Sequence, residues 1–365
     1  MIKTQVAIVG AGLSGLYAAS LLEQANINYL LLEGRAFAGG RIQQAGNSGV
    51  DLGATWIWPA VQPDAVRVLA ELGVALIPQN EAGDLLYERA MGSISRYPGY
   101  VSSPPAMRVR DGMYQVIEKL QQRLSAEKIV TGVRITHAEY ADEQITLRGT
   151  TTSGEDVVLQ TEHLLLAIPP MLANTIKFTP ALPRELTDDW GNTGTWMAPQ
   201  AKYVALYDES FWTADGLSGE GRSMVGPLVE LHDVSVPDGV NAIFGFLGIP
   251  AQSRQSLGED TVLSLCRAQM VRLFGDKAAF PIAEFLKDWS ADPFTATPHD
   301  LVLQAGHHVP SAFPSEGEWA HCLTGIASEW SATVPGYLAG AIEAAREGVN
   351  RLTAKMAPST GSFSE

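Results

Sequence analysis

Three glycines spaced Gly10-x-Gly12-x-x-Gly15 stand directly after the apolar run Val6-Ala7-Ile8-Val9 and open a helix-patterned segment over residues 12–25. Glycines in that position constrain the fold strongly, because a buried strand must end in a tight turn and a helix must pack hard against the strand it follows. Gly10 makes the turn, Gly12 lets backbone N–H groups approach a pyrophosphate, and Gly15 permits the close helix-to-strand contact. A second apolar run, residues 29–32, completes a βαβ unit. Glu33 ends that run, where a carboxylate accepts hydrogen bonds from ribose hydroxyls. The pattern predicts a dinucleotide site on a Rossmann-type domain and leaves FAD and NAD open.

Over residues 69–105 the periodicity breaks and Gly, Pro and Ser accumulate, as in Pro98-Gly99 and Ser102-Ser103-Pro104-Pro105. This marks an excursion into a separate lobe with a boundary near residue 105. Helical spacing returns at Met113, Val116, Ile117, Leu120 and Leu124, and strand-like runs follow at 129–135, 144–147, 157–160 and 164–168. A mixed stretch, 171–287, carries strands at 203–206 and 242–247 and a helix at 261–274. The last elements are a strand at 322–327 and a helix at 338–352 with Ala341, Ala344, Ala345 and Val349 on its packing face.

Charge and cysteine content exclude several classes. Acidic residues outnumber basic ones, 40 to 25, and the resulting formal charge of −15 opposes binding to phosphate backbones and anionic membrane surfaces. Neither a nucleic acid nor a membrane is expected as partner. No apolar run reaches the roughly 18 residues of a bilayer span, and the initial segment reads as the first strand rather than a leader. The two cysteines, Cys266 and Cys322, form no C-x-x-C pair and lie in apolar runs as core residues, which fits a reducing, cytoplasmic setting. Adjacent His307 and His308 point apart in a strand and make no metal site.

Gly39-Gly40-Arg41, followed by Asp51-Leu52-Gly53-Ala54-Thr55-Trp56, resembles the flavin amine oxidase family, which includes monoamine, polyamine and L-amino-acid oxidases. The resemblance continues in family order to about residue 348. It implies that Gly10, Gly12, Ser14, Gly15, Glu33, Gly40 and Arg41 hold the dinucleotide part of FAD, and that Gly53, Ala54, Thr55 and Trp56 pass beside the flavin. Val133 is similar to the valine whose backbone meets adenine. The stretch Ala327-Ser328-Glu329-Trp330, followed by Val334-Pro335-Gly336-Tyr337, is similar to the closing signature, in which Glu329 and Val334 contact the cofactor. Ser328 stands where the family usually has glycine.

The same resemblance implies the chemistry. Lys202 is similar to the lysine that holds a water against flavin N5, and Tyr337 to one aromatic wall of a cage that orients the amine. Trp289 opens a segment similar to the family's W-x-x-D-P-Y/F stretch, and by residue count His299 falls at the second cage wall. The residues Ala296-Thr297-Pro298-His299 include no cysteine, so FAD is expected to be non-covalent. The expected fold is α/β, a Rossmann-type FAD-binding domain built from separated segments, 1–60, 106–172 and 286–365, with an inserted α+β substrate-binding lobe from 61–105 and 173–285. The implied activity is oxidation of an amine C–N bond to an imine, with molecular oxygen as acceptor giving hydrogen peroxide. An acidic excess between residues 205 and 262 suits a cationic amine. The glycine motifs alone suit equally a flavin-dependent desaturase acting on C–C bonds, or a non-catalytic FAD-binding protein.

Overall fold

The computed structural model describes residues 2–99, 101–301 and 308–356. The chain divides into two compact units: Met1–Gly40, Lys119–Trp196 and Leu303–Glu365 form the first, and Arg41–Glu118 and Met197–Val302 the second. Relative to the expected division, residues 41–60, 106–118 and 286–302 join the second unit and 173–196 the first. Strand pairing is the reason. Trp56–Ile57 pairs with Met107–Val109, and Ala283–Asp288 with Ala201–Tyr207, whereas Lys177–Thr179 extends the sheet of the first unit at Val133–Ala141. Strands of two or three residues carry no readable period in the sequence.

Among the described residues of the first unit, eight strands form one sheet. Ile2–Val9 lies within it, parallel to Tyr29–Leu32 on one side and to Asp156–Leu166 on the other. Val6, Ala7 and Ile8 are fully buried, which is why this strand reads as a continuous apolar run rather than an alternation. The helix Leu13–Gln24 packs against the helix Leu338–Met356. The run expected over 129–135 is two strands: Ile129–Val130 pairs with Tyr29–Leu32, and Gly132, at φ +72°, then redirects the chain into Val133–Ala141.

The runs expected at 157–160 and 164–168 belong to one strand, Asp156–Leu166. Residues 156–161 pair antiparallel with Gln144–Thr151, while Leu164 to Leu166 pair parallel with Leu323–Gly325. The tip joining Val133–Ala141 to Gln144–Thr151 is Asp142-Glu143, with φ of 50° and 60°, the twist that a two-residue hairpin demands. Trp190, Trp319 and Trp330 fill the core beside Leu164, Leu166 and Leu323. Trp190 donates its Nε1–H to the Ser311 carbonyl at 2.7 Å and meets Trp330 edge-on at a centroid distance of 5.5 Å.

The second unit is built on a seven-stranded sheet in the order Ala283–Asp288, Ala201–Tyr207, Asn241–Leu247, Leu228–Asp233, Leu217–Ser223, Asp84–Ala90, Ser93–Tyr97. Every residue of Ala201–Tyr207 is buried. Side chains alternate across a strand, so Ala201, Tyr203, Ala205 and Tyr207 enter a core with Cys266 and Met270 of the helix Glu259–Phe274. Val204 and Leu206 enter the opposite one with Phe244, Ala45 and Val50. Lys202 has the parity of the second set. The sequence reading misses Leu217–Ser223 and Leu228–Asp233 because glycines and charged residues interrupt them; the sheet accommodates such charges in pairs, as where buried Glu88 meets Arg272 and the Ser223 hydroxyl.

Among the described residues, no helix is long and apolar enough to cross a membrane. Replacing Trp190 by Ala removes a fully buried indole and the shorter of two N–H bonds to the Ser311 carbonyl, leaving that from Trp330 at 3.2 Å. A loss of about 3–5 kcal/mol is expected in denaturant unfolding, and a change under about 1 kcal/mol would contradict this placement of the core.

Candidate active site

In the first unit the strand Ile2–Val9 delivers the chain to the glycine turn. Gly10 has φ +106°, and a Cβ there would lie 2.6 Å from the Ala167 carbonyl oxygen. A Cβ on Gly15 would lie 1.9 Å from the Gly10 oxygen, so helix and strand touch through backbone alone. Gly12 differs: a Cβ there would meet only Gly40 Cα at 3.8 Å and the Gly39 oxygen at 3.9 Å. The protein's own packing therefore does not demand glycine at 12. Gly39 donates its N–H to the Ala11 carbonyl at 2.8 Å, which sets Gly40 beside the turn. No side chain caps the helix Leu13–Gln24, leaving its first turn as a donor surface for an anion.

Glu33 is 3% exposed, and its Oε2 accepts the Ala11 N–H at 2.7 Å while Oε1 accepts the Arg35 N–H at 2.9 Å. Its carbonyl accepts the Val133 N–H at 2.8 Å, so Glu33 and Val133 stand at one edge of the glycine turn. The Ser14 hydroxyl donates to the Ile326 carbonyl and ties the helix to the neighbouring strand. Buried Glu329 accepts the Ser328 hydroxyl at 3.0 Å; the serine in place of the family's glycine is thus a local partner of that carboxylate. Tyr337 donates its N–H to the Val334 carbonyl, and its ring lies 5.9 Å from that of Trp196, tilted by 32°. Gly336, at φ +83°, makes room, since a Cβ there would come within 2.7 Å of Trp196 Cβ.

In the second unit Lys202 is 1% exposed. Its ammonium donates to Thr55 Oγ1 at 2.7 Å and to the Gly53 carbonyl at 3.3 Å, and lies 3.8 Å from the centroid of Phe244. The loop supplying these acceptors is folded tightly: a Cβ on Gly53 would lie 1.9 Å from the Arg41 oxygen, and Ala54 donates its N–H to that same oxygen. Trp289 Nε1 donates to the Leu52 carbonyl at 3.3 Å. Trp56 donates to Gln79 and packs 5.4 Å from Phe244. Buried Arg254 grips both carboxylate oxygens of Asp288 at 2.7 Å and donates to the Pro199 carbonyl, joining the residues before Lys202 to those before Trp289.

Burial pushes Lys202 well below the ordinary lysine value; the charge of Asp51 opposes this and Arg108 adds to it. Asp51 moves upward, again through burial, against the charges of Lys202 and Arg108 and the Met113 N–H that its Oδ1 accepts at 2.8 Å. A buried charge cluster thus surrounds the loop 51–55.

His299 lies on an exposed turn that Asp300 closes by accepting the Thr297 N–H and hydroxyl, outside the buried group around Lys202. A residue count across a loop cannot register which side chains turn inward. The ring that meets Tyr337 is Trp196, which the sequence reading missed because it belongs to no motif. Phe244 and Arg108 were missed likewise, although a lysine in an apolar strand signals that buried partners must exist. His307 falls outside the described residues, and His308 bonds Asp189; among the described residues no group of His, Cys, Asp and Glu could hold a metal.

A family model described as flavin containing amine oxidoreductase matches residues 86–353, most of the chain, and one described as an NAD(P)-binding Rossmann-like domain matches residues 8–72. The chain belongs to the flavin containing amine oxidoreductase family. Among relatives of this family, a probable flavin-containing monoamine oxidase A of Dictyostelium discoideum is 27% identical over 65% of this chain and 51% of its own length. A putative flavin-containing monoamine oxidase of Mycobacterium tuberculosis is 26% identical over 73% of this chain and 57% of its own. The chain therefore spans about half the length of the curated relatives it matches. A structure of putrescine oxidase bound to putrescine matches with a TM-score of 0.81 at 19% identity, covering 97% of this chain and 99% of that one, which establishes a shared fold.

The residues present suit a flavin dinucleotide, for Gly12 keeps a space that the protein does not fill and buried Glu33 offers a carboxylate beside it. Gly12→Ala is accordingly expected to leave the melting temperature close to the parent while weakening FAD retention at least tenfold in a dialysis or fluorescence assay. Gly15→Ala, which drives a Cβ into the Gly10 carbonyl, should lower the melting temperature itself. Equal effects of the two would show that Gly12 serves packing only.

Proposed function

We propose that the chain is an FAD-dependent amine oxidoreductase that converts a C–N bond to an imine, with molecular oxygen as acceptor and hydrogen peroxide as product. The observation that carries the reading is Lys202, a solitary ammonium buried in a wholly buried strand and held by the Gly53–Thr55 loop of a flavin-family chain. Such a charge is costly to bury without a polar task.

The residues assigned to FAD are Gly10, Gly12, Ser14, Gly15, Glu33, Gly40, Arg41, Gly53, Ala54, Thr55, Trp56, Val133, Trp289, Glu329 and Val334. When bound, the flavin supplies a two-electron acceptor. Its attachment is non-covalent in this reading, because burial pushes the Cys266 thiol up to about 12 and Cys322 up to about 11, leaving both protonated and enclosed. Two unbonded buried cysteines also suit a reducing, cytoplasmic compartment.

The amine must react as the free base, losing two electrons and two protons to become an imine that water then hydrolyses. Tyr337 and Trp196, two half-buried rings 5.9 Å apart and tilted by 32°, are assigned to orient it, in preference to the exposed His299. Lys202 keeps a positive charge where negative charge develops as two electrons and two protons pass to dioxygen, and enclosure strengthens that effect.

Anaerobic mixing with a panel of primary amines should bleach the bound flavin, and acid precipitation should release all of the yellow colour. Bleaching by none of them would overturn the activity. Lys202→Met should slow reoxidation by oxygen at least about tenfold, or ~1.4 kcal/mol of barrier. Because burial favours the neutral amine, the parent's reoxidation should fall with rising pH along a limb below the ordinary lysine value of roughly 10.4, and Lys202→Met should lack that limb.

A further inference from the structure

We propose that Asp51 and Thr55 are positioning residues for Lys202, Thr55 fixing the direction of its ammonium and Asp51, buried at the head of the same loop, supplying a counter-charge that the charge of Arg108 opposes. The inference deepens the functional reading and rests on it for its consequence in oxygen chemistry.

Four observations bear on it. The Lys202 ammonium donates its short bond, 2.7 Å, to Thr55 Oγ1, and Thr55 is itself oriented by donating to the Gly53 carbonyl at 3.1 Å. Asp51 begins the same loop and is 5% exposed, so its charge reaches Lys202 through protein rather than water. Arg108, 6% exposed, donates to the Ser235 carbonyl at 3.1 Å, and its Nε–H has no hydrogen-bond partner. The charges of Asp233 and Asp51 act on this guanidinium, and its own positive charge works directly against that of Lys202. Finally, the residues directly opposite Lys202 on the flanking strands, Phe246 and Lys287, carry no negative charge; Lys287 sends its ammonium to Asp292 and the Trp289 ring, and the carboxylates of that strand, Glu284 and Asp288, pair with Arg267 and Arg254.

Asp51 thus favours the charged form of Lys202, and the positive charge of Arg108 opposes it. Neutralising Asp51 should release the proton of Lys202 more readily, whereas neutralising Arg108 should retain it more firmly. Asp51→Asn keeps a carbonyl oxygen for the Met113 N–H and removes only the charge. Thr55→Val keeps the shape and removes the acceptor, and Thr55→Ser restores the acceptor.

The test is an NMR titration of the full-length protein as purified, with lysine labelled with carbon-13 at Cε and the Lys202 signal assigned by its loss in Lys202→Met. Asp51→Asn should lower the Lys202 midpoint by about one pH unit or more, a tenfold change in proton affinity. Thr55→Val should lower it as well, with Thr55→Ser near the parent, and Arg108→Gln should raise it. Should Asp51→Asn fail to fold, Arg108→Gln and the Thr55 pair decide the matter, since their expected shifts have opposite signs. Midpoints within about 0.3 unit of the parent in the folded variants overturn the proposal. The pH limb of flavin reoxidation, measured on the same variants, should move with the midpoint. A midpoint that moves while the limb stays leaves the positioning intact and removes Lys202 from the oxygen step.

Discussion

An ammonium inside a strand with no face open to water is the constraint around which the second unit is organised. Free of compensation, Lys202 would either lose its proton or unfold its strand. Every compensating element has a visible cost in sequence freedom. The loop must bring a carbonyl and a hydroxyl to one point, so Gly53 has to tolerate backbone contact at Arg41. The facing strand must present a ring, Phe244, rather than a branched aliphatic. The clamp of Arg254 on Asp288 then holds the strand ends in the register on which that geometry relies. Precision here comes from strands and a braced loop rather than from a free side chain, which is the condition for a site that is organised before its ligand arrives.

The first unit answers a different demand. Its problem is to keep backbone amides exposed to a ligand inside an otherwise close-packed α/β core. Gly10 and Gly15 solve the packing part, since each lies where the protein itself leaves no room for a Cβ. Gly12 is free of that packing demand, which is why the proposed reading gives it the binding part. The same three-glycine spacing thus serves two purposes, which explains why spacing alone does not identify the ligand.

Legibility of the sequence followed how local each signal was. The βαβ unit could be read because strand, turn and helix are contiguous, and Tyr29–Leu32 was found with its observed bounds. The strand around Lys202 and the helix Glu259–Phe274 were legible for the same reason. The division into units was not, because Trp56–Ile57 and Met107–Val109 are defined by pairing with each other and not by any period of their own. Site residues split likewise. Lys202 and Tyr337 are proposed from motifs, and the structure gives each an aromatic neighbour that no motif contains, Phe244 and Trp196. His299, taken from a residue count, lies on an exposed turn, because counting positions along a loop carries no information about its direction.

The strand Asp156–Leu166 is shared along its length, its first half belonging to the antiparallel meander and its last residues to the parallel layer. The parallel layer, with Ile2–Val9 and Leu323–Gly325 on either side, fixes the end that faces the glycine turn. The meander continues from the other end, and its first strand starts beside the glycine turn, where Val133 donates its N–H to the Glu33 carbonyl. Its hairpin tip, Asp142-Glu143, is exposed and shaped by backbone twist. That tip is where a fluorophore or an affinity tag can be grafted into the middle of this chain without disturbing the turn at Gly10.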